Sequence, residues 1–164
     1  MQESRQATPD LLPSDREVHA FHTAGRDLIG IALRSLDVVG NGLSLPKFRM
    51  LLVLHELGRA PSARVARALG VNASSVTRLA DRLVEELYVT RGADEHSRSV
   101  VTLELSDEGR RLVDRVIAWR HDELGRLLAG IDPHLRETTT VALEQFAEAA
   151  AAFYSVEFAG PAAL

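Results

Sequence analysis

Residues 62–100, SARVARALGVNASSVTRLADRLVEELYVTRGADEHSRSV, decide the fold. Two short amphipathic runs meet at Gly70. Ser62 is the candidate N-cap of the first run, and Gly70 ends it. Asn72 opens the second, which is predicted to reach about Leu87. There Val76, Leu79, Ala80, Leu83 and Leu87 recur at helical spacing and form a buried stripe. The opposite face carries Ser74, Ser75, Thr77, Arg78, Asp81, Arg82 and Glu85. Strand-like Tyr88–Arg91 and Val100–Leu105 follow, and polar Gly92–Ser99 makes a hairpin tip between them. In the second strand Val101, Leu103 and Leu105 alternate as the inward face. A short helix, a tight turn, a longer helix and a hairpin, in that order, read as a helix-turn-helix with a wing. Such a unit sets one helix in the major groove of DNA.

The flanks read as scaffold. Residues 1–14 are a flexible N-terminal arm, and residues 15–45 are a dimerisation segment in which Ser14 or Asp15 caps a long helix running to about Val39, before a turn at Asn41-Gly42. The apolar positions of this helix are Val18, Phe21, Gly25, Leu28, Ala32 and Leu36. The winged region occupies residues 46–105. It begins with a helix at Pro46 that buries Phe48, Leu51 and Leu52, with His55 read as a buried, hydrogen-bonded histidine, and stops at Gly58. Residues 106–157 hold two further helices, opened by Ser106-Asp107-Glu108 and by Asp132-Pro133, and residues 158–164 form a flexible tail. The long terminal helices have wider apolar faces than a small winged domain can cover, which points to a symmetric dimer. The expected fold class is mainly α with a small β-wing: one winged helix-turn-helix domain with long N- and C-terminal dimerisation helices.

Composition sets limits on function. The chain has 164 residues, 46% hydrophobic and 26% charged, enough for one domain with a real core. Net charge is −4, but it is unevenly spread. Residues 1–44 carry 4 basic and 6 acidic side chains, residues 45–100 carry 9 and 6, and residues 101–164 carry 6 and 11. The middle is thus net positive between acidic flanks, which favours a local phosphate contact. Cysteine is absent, which excludes disulfides and thiolate metal sites. No apolar run is long enough to span a membrane, and the N-terminus does not read as a signal peptide, so a cytoplasmic location is expected. Phosphate-loop, dinucleotide-binding, HExxH and GxSxG motifs are missing. Neither an enzyme nor a cofactor is expected.

The candidate DNA-contacting residues are Ser62, Asn72, Ser74, Ser75, Thr77, Arg78, Arg82, Arg91 and Arg98. Small hydroxylated residues let a helix approach the groove floor, and arginine can fork onto guanine. The helix N-terminus itself favours phosphate. Arg98, in the hairpin tip, suits a narrow minor groove, and Arg91 at the wing base suits a phosphate.

The segments LSLPKFRMLLVL (43–54), residues 62–87 and LELSDEGR (103–110) resemble those of MarR-type transcriptional regulators, over roughly residues 15–155. The resemblance implies a homodimer that binds a pseudo-palindromic operator, usually as a repressor, and in many members responds to a small anionic or aromatic ligand. The family's wing carries an acid followed by two arginines. Here those positions read Ser97, Arg98 and Ser99, so only the first arginine is kept. The family's ligand crevice lies between scaffold and reading head. By position it would recruit His22, Arg26, Phe48, Leu52, His55 and Trp119, none of them marked by a motif.

Asp15, His19, His22 and Arg26 share one stripe of the first helix. His19 and His22 form half a metal site at most, and the fixed cation of Arg26 opposes a second one. A solvated or dimer-facing stripe is the simpler reading, and no metal site is assigned. Two alternatives to a ligand-released repressor stand beside it: a metal-responsive regulator, and a winged-helix module for protein interaction.

Overall fold

The computed structural model describes residues 12–39, 42–94 and 100–154. Among the described residues six helices and three short strands follow one another: α1 (Asp15–Val39), α2 (Leu45–Leu57), β1 (Ala60–Pro61), α3 (Ser62–Leu69), α4 (Ala73–Glu85), β2 (Val89–Ala93), β3 (Val101–Leu105), α5 (Asp107–Ala129) and α6 (Pro133–Tyr154). The mainly helical, winged architecture expected from the sequence is the one observed.

A capping box starts α1. The Ser14 hydroxyl accepts from the Glu17 amide at 3.3 Å, and Glu17 Oε2 accepts from the Ser14 amide at 2.7 Å. The hydroxyl and amide bonds from Ser14 hold the Glu17 carboxyl below its ordinary pKa. Only Ile31, Ser35 and Leu36 of this helix are buried. Val18, Phe21 and Leu28, expected on its apolar face, are exposed in the single chain, which covers this stretch only in part: the Phe21 ring meets that of Phe146 on α6 and is still exposed.

Helix α2 is the centre of the core. Phe48, Met50, Leu51, Leu52, Val53 and Leu54 are buried on nearly all its sides. They pack with Leu83 of α4, Leu103 and Leu105 of β3, and Leu112, Val113 and Val116 of α5. His55 corrects the sequence reading. It is exposed, and its Nε2 lies 3.6 Å from Asp114 Oδ1 on α5.

The sheet has the order β1-β3-β2, antiparallel throughout. Strand β1 was not anticipated. It is two residues long and contains Pro61, which cannot donate to a ladder and so sits at an edge. It pairs Ala60 with Leu103 and Pro61 with Thr102. The inward alternation of β3 holds for Leu103 and Leu105 but fails at Val101, which is 46% exposed. Thr102 is buried instead, beneath the side chain of Arg59, whose Nε donates to its hydroxyl at 3.2 Å.

Two expected boundaries shift. Pro61, not Ser62, takes the N-cap position of α3, and Ser62 is the first helical residue. Helix α4 stops at Glu85, and Leu87 is not part of the buried stripe. Leu87 adopts φ 63°, a left-handed conformation that ends the helix and turns the side chain out, leaving it 73% exposed. Among the described residues no helix is long and apolar enough to cross a membrane.

Candidate nucleic-acid interface

The turn between α3 and α4 is built by two residues with opposite backbone needs. Gly70 sits in the left-handed region (φ 67°, ψ 31°), which glycine enters without steric cost. Its amide and that of Val71 satisfy the Arg67 and Ala66 carbonyls at 3.2 and 3.1 Å. Asn72 then caps α4. Its side-chain oxygen accepts from the Ser75 amide at 2.9 Å and from the Ser74 hydroxyl at 2.8 Å. Ser74 is therefore held at the mouth of α4 by the same atom that caps it. Thr77 Oγ1 donates to the Ala73 carbonyl at 3.1 Å, and the residue is exposed. Ser75 is half-buried, less available than its neighbours.

Val76, Ala80 and Leu83 fix the inner face of α4 against the core. That leaves Arg78 and Arg82 exposed, one turn apart, and no hydrogen bond or ion pair among the described residues engages either. Asp81, between them, would repel phosphate. It is neutralised by Arg91 of β2, whose guanidinium lies 2.6 Å from Asp81 Oδ1 and 3.4 Å from the Thr77 carbonyl. Arg91 thus joins the wing base to α4.

Further ties fix the wing to the head. The Ser62 hydroxyl donates to the Val101 carbonyl at 3.1 Å. Arg59 reaches the Ala93 carbonyl at 2.5 Å and the Thr102 hydroxyl. Lys47 of α2 pairs with Glu86 just beyond α4. Asp94 and Val100 close the described part of the hairpin by a 2.9 Å backbone bond. Arg98, with Ser97 and Ser99, lies outside the described residues. Arg59 and the Asp81–Arg91 pair were missed in the sequence because β1 was unread and the pair is 10 positions apart on different elements. Arg64 and Arg67 of α3 are also exposed and add to the positive surface.

Behind the wing, Ser106 caps α5 and accepts from the Gly109 amide at 3.0 Å, while donating to the Leu87 carbonyl at 2.6 Å. The Ser106 amide donates to Tyr88 O at 3.0 Å. The Leu105-Ser106-x-x-Gly109 segment is thus a latch between the reading head and α5.

The six residues placed by position in a ligand crevice are not joined by any hydrogen bond, ion pair or ring contact among the described residues. His22 and Arg26 are exposed on α1, with Arg26 against Asp27 at 3.2 Å. Phe48 and Leu52 are buried, Trp119 is half-buried and His55 pairs with Asp114. Arg120 occupies the junction instead. Its Nε donates to the buried Ser35 hydroxyl at 2.8 Å, its Nη2 to the Ala32 carbonyl at 3.1 Å, and its guanidinium lies 4.9 Å from the Phe48 ring centre. Burial lowers the pKa of Arg120. No group of three or more His, Asp or Glu placed to hold a metal ion occurs among the described residues.

A family profile described as MarR family matches residues 41–99. The crystal structure of RV1404 from Mycobacterium tuberculosis is 32% identical, with a TM-score of 0.80 over 87% of this chain and 97% of that one. The helix-turn-helix-type transcriptional regulator YhbI of Bacillus subtilis is 23% identical over 96 residues, 58% of this chain and 59% of its own length. The chain thus spans a little over half of that curated relative. A mutant of S. aureus MepR, solved bound to an oligodeoxyribonucleotide, shares the fold with a TM-score of 0.66 at 15% identity, over 80% of this chain and 96% of that one. Profile, identity and shared winged-helix architecture agree, and the chain belongs to the MarR family.

Proposed function

We propose that this protein is a sequence-specific DNA-binding transcriptional regulator that acts as a homodimer on a pseudo-palindromic operator. One observation carries the reading. The capped N-terminus of α4 presents Ser74, Thr77, Arg78 and Arg82 outward, and Arg91 cancels the one carboxylate set between the two arginines. In this reading α4 enters the major groove, Ser62, Asn72, Ser75 and Arg91 border it, and Arg98 reaches the flanking minor groove. The MepR complex with DNA supports the reading by likeness of fold.

The dimer is supported by the apolar surface that one chain leaves uncovered. Val18, Phe21 and Leu28 of α1 and Leu135, Val141 and Phe146 of α6 are all exposed, and the rings of Phe21 and Phe146 lie 5.1 Å apart. Residues 15–45 and 106–157 are then the dimerisation segments around a winged region of residues 46–105. Two reading heads would address half-sites about 34–36 Å apart. Repression, and release by a small anionic or aromatic effector that shifts head spacing, complete the proposal. It assigns no catalytic step and places the protein in the cytoplasm.

The test is fluorescence anisotropy with a duplex spanning the region upstream of its own gene. Arg82→Ala weakens binding, and if it is a pure phosphate contact the log–log salt slope falls by about 1. Unchanged affinity in both Arg78→Ala and Arg82→Ala rejects this docking. Loss of a zinc response in His19→Ala or His22→Ala would support the metal-responsive alternative, and absence of any DNA affinity would support the protein-interaction module.

A further inference from the structure

We infer that Arg59 is the positioning residue for the wing: it pins the base of the β2–β3 hairpin so that the hairpin meets DNA at a fixed angle. The inference rests on the DNA-binding reading above. Arg59 lies in the loop between α2 and β1, outside both wing strands, yet it bonds to each. Its Nη2 donates to the Ala93 carbonyl on β2 at 2.5 Å, and its Nε donates to the Thr102 hydroxyl on β3 at 3.2 Å.

The strands are shaped to receive it. Gly92 and Thr102 are cross-strand partners, so the guanidinium lies over that pair. A Cβ at position 92 would stand 3.0 Å from Arg59 Nη2 and 3.1 Å from Thr102 Oγ1. Glycine in a strand interior usually marks a close approach by another group, and here that group is Arg59. Without it, Gly92 and Ala93 of β2 would be held, among the described residues, by their pairing with β3 alone, because β1 and the Ser62 hydroxyl reach only β3, and a two-stranded hairpin is marginal in water. Strand β1 braces β3 but reaches only Thr102 and Leu103, and nothing in it pairs with β2. Arg59 is thus the tie that reaches past β1 to the outer strand.

Arg59→Ala, Arg59→Lys, Gly92→Ala and the double variant Arg59→Ala/Gly92→Ala test the inference. Two readouts are needed: anisotropy with the duplex from upstream of the gene, and amide hydrogen exchange of the free protein. Arg59→Ala should weaken binding by about tenfold, the equivalent of one charge-assisted hydrogen bond. Faster exchange should be confined to residues 89–105, whereas a general loss of stability would raise exchange throughout. Gly92→Ala, which pushes the guanidinium off Ala93, should act in the same direction. The double variant should lose less than the two single losses combined, because the second change then meets no arginine side chain and only the Thr102 hydroxyl contact at 3.1 Å remains. Arg59→Lys, with one donor group in place of a fork, should fall between wild type and Arg59→Ala.

Wild-type affinity in Arg59→Ala, or unchanged exchange over residues 89–105, overturns the inference. So does a lower salt slope with unchanged exchange, which would make Arg59 a plain phosphate contact. A wild-type protein with no preference for the duplex instead overturns the DNA-binding reading itself, and needs no variant to show it.

Discussion

Gly109→Ala reverses the usual rule for glycine in a helix. Alanine at an interior helical position normally stabilises by about 1 kcal/mol relative to glycine. At position 109 a Cβ would stand 2.1 Å from the Tyr88 carbonyl oxygen and 3.0 Å from its carbon, both backbone atoms. Neither atom can rotate away. The first turn of α5 must lift off the start of β2, and that motion strains the Ser106–Leu87 and Ser106–Tyr88 bonds, 2.6 and 3.0 Å in the native latch. Overpacking of this kind costs about 1–3 kcal/mol, more than the helical gain, so the net sign is destabilising. Gly125 of the same helix has no atom within 4 Å of its would-be Cβ, so Gly125→Ala serves as the matched control and should stabilise by up to about 1 kcal/mol. Urea unfolding followed by circular dichroism, at one fixed protein concentration, reads both variants. A Gly109→Ala protein as stable as the wild type or more so would refute the reasoning, because the latch would then have room that the structure denies it.

Asn72→Ala removes the α4 cap and should cost about 1 kcal/mol in the same urea assay, with weaker DNA binding as Ser74 loses its anchor. Asp81→Asn should change stability by less than about 1 kcal/mol, since both partners of the Arg91 pair are partly exposed, and a larger loss in urea would show the pair to be structural. Arg120→Met removes two charged hydrogen bonds between α5 and α1 and should cost about 1–3 kcal/mol in urea unfolding. Glu17, whose folded pKa is lowered, contributes stability that is present above its unfolded value and lost as pH falls through the folded one. Glu17→Gln should therefore flatten the acid side of the stability profile, measured as thermal midpoint from neutral pH down to about pH 3.

The helical order was legible because its signals are local. Gly70 two residues before Asn72, Pro46 in the first turn of α2, and Ser106 three residues before Gly109 mark helix ends through backbone chemistry that any tertiary setting respects. The misreadings arise where packing decides. Leu87 fits the periodic stripe, but the chain must reverse after Glu86, and a left-handed leucine makes the turn. Val101 fits a strand alternation, but its own face of the sheet is buried only as far as Leu103, while Thr102 on the opposite face is buried against Arg59. Strand β1 was hidden because two residues, one of them proline, carry no periodicity. On the site, the outward residues of α4 followed from the 3.6-residue helical period. The neutralisation of Asp81 by Arg91 and the reach of Arg59 did not, since each joins separate elements whose register is set only in the folded chain.

On the proposed function, α4 and the wing read a particular DNA sequence. The most direct measurement is anisotropy of the wild-type protein, across a salt series, with the duplex from upstream of its gene and with a random duplex of equal length. The expected result is one dimer bound per site, a steep salt dependence and at least about a thousandfold preference for the specific duplex. Equal affinity for both duplexes at every salt concentration would contradict it.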